Sequence, residues 1–140
     1  MLRIALAIAG LLLALHGSAA FACGHCVEDK IAAVYDHALI TQALAQKQQV
    51  VFFAIDGNFT ANEVTRKSIE TIAKSVEGIE KNSVRVSVEL AALCVVFDPK
   101  RQSFAAMQKS LDKKMAEKKL TLLLLKIMRP AEKITSARAA

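Results

Sequence analysis

"VEGIEKNSVRVSVELAALCVVFDP", residues 76–99, is the stretch on which the fold turns. Val84, Val86 and Val88 alternate with Arg85, Ser87 and Glu89, the two-residue period of a strand with one face buried and one in water. Residues 93–97 form an apolar run that Asp98-Pro99 closes, because proline has no N–H to give to a ladder. Residues 90–92 join the two runs as a hairpin. Gly78, just upstream, suits the end of a helix, where a left-handed backbone costs glycine least.

Working outward, residues 50–56 (VVFFAID) are β-branched and aromatic and end at Gly57-Asn58, so a strand is predicted. Thr60 or Asn62 can cap a helix over 63–76, with Val64, Ile69, Ile72, Ala73 and Val76 facing inward and Gly78 ending it. Downstream, a helix over 103–118 places Phe104, Met107, Leu111 and Met115 on one stripe, and residues 121–128 (TLLLLKIM) read as the last strand. The order β-α-β-β-α-β predicts an α+β, ferredoxin-like antiparallel sheet with two helices on one face. With Val84, Leu93, Val95 and Phe97 turned toward those helices, the other face would hold Phe52, Ala54, Cys94, Val96, Leu122 and Leu124. That face is too apolar for solvent. Residues 27–46 offer a cover: an extra amphipathic N-terminal helix, with Ile31, Val34, Tyr35, Ala38 and Leu39 inward and Glu28 and Asp29 in its first turn.

The chain has 140 residues, 54% of them hydrophobic, which suffices for one modest core. Residues 1–22 have the order of a secretory signal peptide: Arg3, an apolar run over 4–15, then small residues ending in Ala20-Phe21-Ala22. Twelve apolar residues are short for a hydrocarbon core of roughly 30 Å, so the leader is expected to be cleaved before Cys23, with no stable membrane insertion afterwards. Ala20 and bulky Phe21 depart from the pattern that precedes a lipid-bearing cysteine. The expected organisation is a leader over 1–22, a motif and helix over 23–48, a domain over 49–129 and a disordered tail over 130–140. The expected location is periplasmic or secreted. Loss of Arg3 lowers the net charge from +6 to +5. Lys109, Lys113, Lys114, Lys118 and Lys119 recur at helical spacing, as a solvated face or a docking face for an acidic partner. Export argues against nucleic acid.

Residues 50–128, and above all the quoted stretch, resemble the heavy-metal-associated domain of copper chaperones, periplasmic mercury-binding proteins and metal-pumping ATPases. The shared landmarks are a helix ending in Gly-Ile, a valine-alternating strand, a hairpin, and a strand ending in aromatic-Asp-Pro. The resemblance implies the ferredoxin-like fold and binding of a soft metal ion, which is passed to or taken from a partner protein. The family binds metal with a Gly-Met-x-Cys-x-x-Cys loop after the first strand. Counting back from Ile69 puts Asn62 and Thr65 where those cysteines would stand, so the family's ligands do not carry over.

The thiols lie elsewhere. The chain has three cysteines, and Cys23-Gly24-His25-Cys26 falls at the expected mature N-terminus. "CGHCVEDKIAAV" itself looks like the family's loop and helix, detached from its strand. Two thiolates satisfy a soft, low-coordinate ion such as Cu(I) or Hg(II), whereas tetrahedral zinc needs four ligands. Cys23 and Cys26 are therefore the expected metal ligands, with His25 and Cys94 as further candidates and copper(I) as the fitting ion. At a helix start, unpaired backbone N–H groups are expected to favour the Cys26 thiolate. Cys-Gly-His-Cys is also the tetrapeptide of disulfide isomerases, which makes a thiol-disulfide redox protein the alternative. A thioredoxin site, however, needs a preceding strand and a cis-proline, and the chain's only prolines are Pro99 and Pro130. A metal-free interaction module and a plain Cys23–Cys26 disulfide are the remaining readings. Cys94, mid-strand, reads first as a small buried hydrophobe. His37 lies about 16 Å from Cys26 along an unbroken helix. No paired carboxylates, nucleophile and base, or phosphate loop stands out, so binding is expected rather than catalysis.

Overall fold

The structure, a computed structural model, describes residues 26–131. The expected leader, Cys23, His25 and the tail beyond residue 131 lie outside the described residues. In chain order the elements are α1 (Val27–Ala33), α2 (His37–Ala45), β1 (Gln49–Asp56), α3 (Glu63–Lys74), β2 (Arg85–Ser87), β3 (Ala92–Phe97), α4 (Phe104–Ala116) and β4 (Thr121–Met128). The strands form one antiparallel sheet in the order β2-β3-β1-β4. This is the ferredoxin-like α+β arrangement that the sequence implied, with β1 central and β4 at one edge.

Each domain helix starts where a side chain can satisfy a free backbone N–H. Asn62 Oδ1 accepts from Thr65 N at 2.9 Å, and Ser103 Oγ accepts from Ala106 N at 3.2 Å. Under α3 and α4, Val51, Phe53 and Ile55 of β1 pack with Leu93, Val95 and Phe97 of β3 and with Ile69, Ala73, Met107, Leu111 and Met115. Val64 does not join them and is 77% exposed. It lies five residues before Ile69, about 140° away around a helix that turns 100° per residue, so one stripe cannot hold both.

The opposite face is covered by the N-terminal segment. Val34, Ile40 and Ala43 pack on Val50, Phe52, Ala92, Cys94 and Val96. The segment is divided in two rather than continuous. Val34 leaves the helical conformation at φ −120°, and Asp36 starts α2 by accepting from Leu39 N at 3.1 Å. Six residues apart on one helix, Val34 and Ile40 would point about 120° apart; the break lets both face the sheet. It also turns Ala38 outward and leaves Tyr35 46% exposed, where inward positions were expected.

On β4, Leu122 sits opposite Ile55 and joins the core beneath α3 and α4, not the face expected of it. Leu124, opposite Phe53, also departs from that face and is 44% exposed at the sheet edge. A bulge between the partners of Phe52 and Phe53 then carries Leu125 to the α2 side.

Candidate metal centre

Cys26 stands at the N-cap position of α1 with an extended backbone, and its carbonyl accepts from Lys30 N at 3.2 Å. Among the described residues its thiol has no disulfide partner; it is exposed and caps nothing. The backbone N–H of Asp29 pulls the thiol pKa down, as expected at a helix start. The Asp29 and Glu28 side chains push it up, and the balance lies above the ordinary 9.0. The same first-turn carboxylates that suit the helix dipole thus work against a resting thiolate.

The seat of α1 fixes where this thiol lies. Ile31 packs against the cluster around Phe52, and the Tyr35 ring stacks on Phe52 at a centroid distance of 6.5 Å. Lys30 Nζ donates to Leu90 O at 2.6 Å, and the neighbouring Ala91 O accepts from Ile55 N at 2.8 Å. Helix α1 therefore begins at the end of the sheet where β1 leaves for the loop over 57–62, and runs back along β3. Cys26, one turn before Lys30, belongs to that end.

On the same end, α3 starts at Asn62 and Thr65, the two positions that the sequence resemblance set against the family's loop cysteines. They are committed to the backbone, Asn62 as the cap of α3 and Thr65 as the donor to it. The loop is pinned at Gly57, whose φ is +142°. A Cβ there would meet Lys119 O and Leu120 Cδ2 at 2.9 Å.

Cys94 is a free thiol with no solvent exposure, packed among Val34, Ile40, Ala43, Val50, Phe52 and Val96. Burial pushes its pKa up to about 12. Among the described residues no three His, Cys, Asp or Glu side chains converge as a metal cluster. None of the described helices is long and apolar enough to cross a membrane. His37 heads α2 beyond the break, so the 16 Å count along one helix does not hold; its ring stacks with Tyr35 at 6.4 Å.

One contact at the far end of α1 from Cys26 escaped the sequence reading. Arg85 of β2 holds Asp36 through Nη2 at 3.0 Å and Nε at 3.3 Å. Accepting from Leu39 N first, and then from Arg85, keeps the Asp36 carboxyl below its usual range. Asp36 followed by His-Ala-Leu was a readable cap signal, but nothing local paired it with Arg85.

The fold and this N-terminal thiol define a class: a ferredoxin-like α+β domain, of the arrangement seen in heavy-metal-associated domains, whose sheet carries an extra helical layer opened by a cysteine. Two solved structures are similar to part of this chain. One is oxidised MerP from Ralstonia metallidurans CH34, 22% identical over 55% of this chain and 96% of its own, with a TM-score of 0.44. The other is a copper binding domain from HMA7, a P-type ATPase, 16% identical over 56% of this chain and 96% of its own, with a TM-score of 0.45. No family model and no curated protein matches the chain. The fold assignment rests on the topology described above.

Proposed function

We propose that this chain is an exported soft-metal-binding protein that holds Cu(I), or an ion like it, between Cys23 and Cys26 and passes it to a partner. The exposed Cys26 thiol at the seated start of α1, without a disulfide partner among the described residues, carries this reading. A two-thiolate site suits a soft ion, and an open one lets an incoming thiolate of a donor or acceptor protein attack the metal and displace the ligands in turn. His25, between the two cysteines in sequence, is the additional donor in this reading. Cys94, sealed in the apolar layer, serves packing in this reading. Metal competes with the proton for the same sulfur, so affinity rises with pH.

Anaerobic Cu(I) competition on the reduced chain tests this, with Cys23→Ser, Cys26→Ser and Cys94→Ser in parallel. One-to-one binding lost in the first two variants and kept in the third is expected. Failure to compete with a weak chelator overturns it, and insulin reduction without copper affinity would move the assignment to the thiol-disulfide class.

A further inference from the structure

We infer that Asn58 is an acceptor for an N-linked glycan, transferred to the exported chain by an oligosaccharyltransferase from a lipid-diphosphate-linked oligosaccharide. The inference rests on the export half of the reading above, because that donor and its enzyme face the exported side of the membrane. Asn58-Phe59-Thr60 is an asparagine with threonine two residues on and no proline between, the pattern such enzymes read. It stands once in the chain: Asn62 and Asn82 are each followed, two residues on, by valine.

A sequence pattern of this kind is used only where an enzyme can reach it, and the fold supplies that condition. Residues 58–61 belong to no helix or ladder, and they form the surface loop between β1 and α3. Asn58 and Thr60 are exposed, whereas Phe59 between them is half-buried against the core beneath α3 and α4, beside Ile69 and Leu120. With the ring of Phe59 anchored inward and the chain turned tightly at Gly57, the acceptor amide and the hydroxyl two residues on are presented outward together. The loop's hydrogen bonds among the described residues join Asn62 N to Thr60 O at 3.0 Å and Thr65 N to Asn62 Oδ1 at 2.9 Å. They use neither the Asn58 amide nor the Thr60 hydroxyl, so both groups can turn to an enzyme without breaking the fold. Asp56, exposed at the end of β1, sets a carboxylate two residues before the acceptor, as a further handle for a cationic subsite.

In the transfer, Asn58 Nδ2 forms a bond to the anomeric carbon of the first sugar while the bond from that carbon to the diphosphate oxygen breaks. One amide proton passes to a base of the enzyme, and the lipid diphosphate leaves. Nothing is oxidised or reduced. The product carries a bulky, solubilising group on the loop at the end of the sheet where α1 begins.

The test is transfer in vitro to the folded chain beginning at Cys23, which retains every described residue, with a purified bacterial oligosaccharyltransferase and a lipid-linked oligosaccharide, read by intact mass and peptide mapping. One glycan per chain, at Asn58, is expected. Asn58→Gln and Thr60→Ala should abolish the mass shift with an unchanged melting curve, while Thr60→Ser keeps it. Asp56→Ala should slow transfer about tenfold or more. A folded chain left unmodified, whether or not a peptide of residues 54–64 accepts the glycan, overturns the inference, as does transfer indifferent to Thr60→Ala. The assay needs neither export nor the thiols, so its failure is distinct from failure of the exported metal-binding reading.

Discussion

The contrast between Cys26 and Cys94 yields a measurable difference in thiol chemistry. A disulfide reagent attacks the thiolate, so its rate follows the thiolate fraction multiplied by access. At pH 8 a Cys94 pKa of about 12 leaves roughly one thiolate in ten thousand, where the ordinary 9.0 leaves roughly one in ten. Ionisation alone therefore slows Cys94 about a thousandfold, and its complete burial adds the cost of opening the helical layer over β1 and β3. In a Cys23→Ser variant, which leaves Cys26 and Cys94, one thiol should react within the ordinary time of an exposed cysteine. The second should wait for denaturant, its rate rising through the unfolding transition. Because Cys26 titrates above 9.0, the fast phase should still be accelerating when pH passes that value. Two thiols reacting at similar rates in native buffer would refute both the seal over Cys94 and its exclusion from the ligand set.

The helical cover should be worth several kcal/mol. Ile40→Ala, which removes a buried contact to Phe52 and its neighbours, should cost about 2–4 kcal/mol by urea denaturation, while Val64→Ala on exposed α3 surface should cost almost nothing. Asn62→Ala leaves Thr65 N without its acceptor and should cost about 1 kcal/mol, with Asn62→Asp restoring most of it. Asp36 has a folded pKa below its ordinary 3.8, so the stability it contributes is present above that value and lost as pH falls through the folded pKa. Arg85→Ala should move the Asp36 titration, followed by NMR, back toward 3.8 and bring the acid loss of α2 to higher pH.

How far the sequence reached is best seen strand by strand. The span of β4 was readable to the residue, because Thr121–Met128 is a mainly apolar run, interrupted by Lys126 alone among charges, between Lys118-Lys119 and Arg129-Pro130. Its facing was not, because a bulge adds one residue without any mark in composition, and Leu122 and Leu124 fall on the side opposite to that of a plain alternation. The alternation over 84–88 announced a strand longer than the Arg85–Ser87 that pairs, since Val84 and Val88 are buried in the core beneath α3 and α4 without joining the ladder. A cover over the second face followed from how apolar that face was. The break within the cover did not, because periodicity over 27–46 cannot distinguish one helix from two that share a target. Cys26 was legible as a site residue, while the effect of Glu28 and Asp29 on its acidity depended on the turn geometry.

The placement of α1 gives the last prediction, because it separates the clasp from its seat. Lys30 is the one side chain of α1 that donates to the hairpin, and it lies one turn from Cys26. A charged donor to a backbone carbonyl contributes about 1.5–3 kcal/mol when sheltered, and less at this half-buried position. Lys30→Met keeps the aliphatic stem and removes the tether, so the sheet and α2 should be untouched while the amides of α1 exchange faster. If metal transfer depends on holding Cys26 at the end of the sheet that carries the 57–62 loop, the cost falls on affinity. A loss of 1.4 kcal/mol is tenfold in the constant, so a decline of up to about tenfold is expected, with Cys26 labelling rates unchanged. Faster exchange in α1 with unchanged affinity would show that the two cysteines act as a free tail, and that the domain behind them neither orients nor supports the ion.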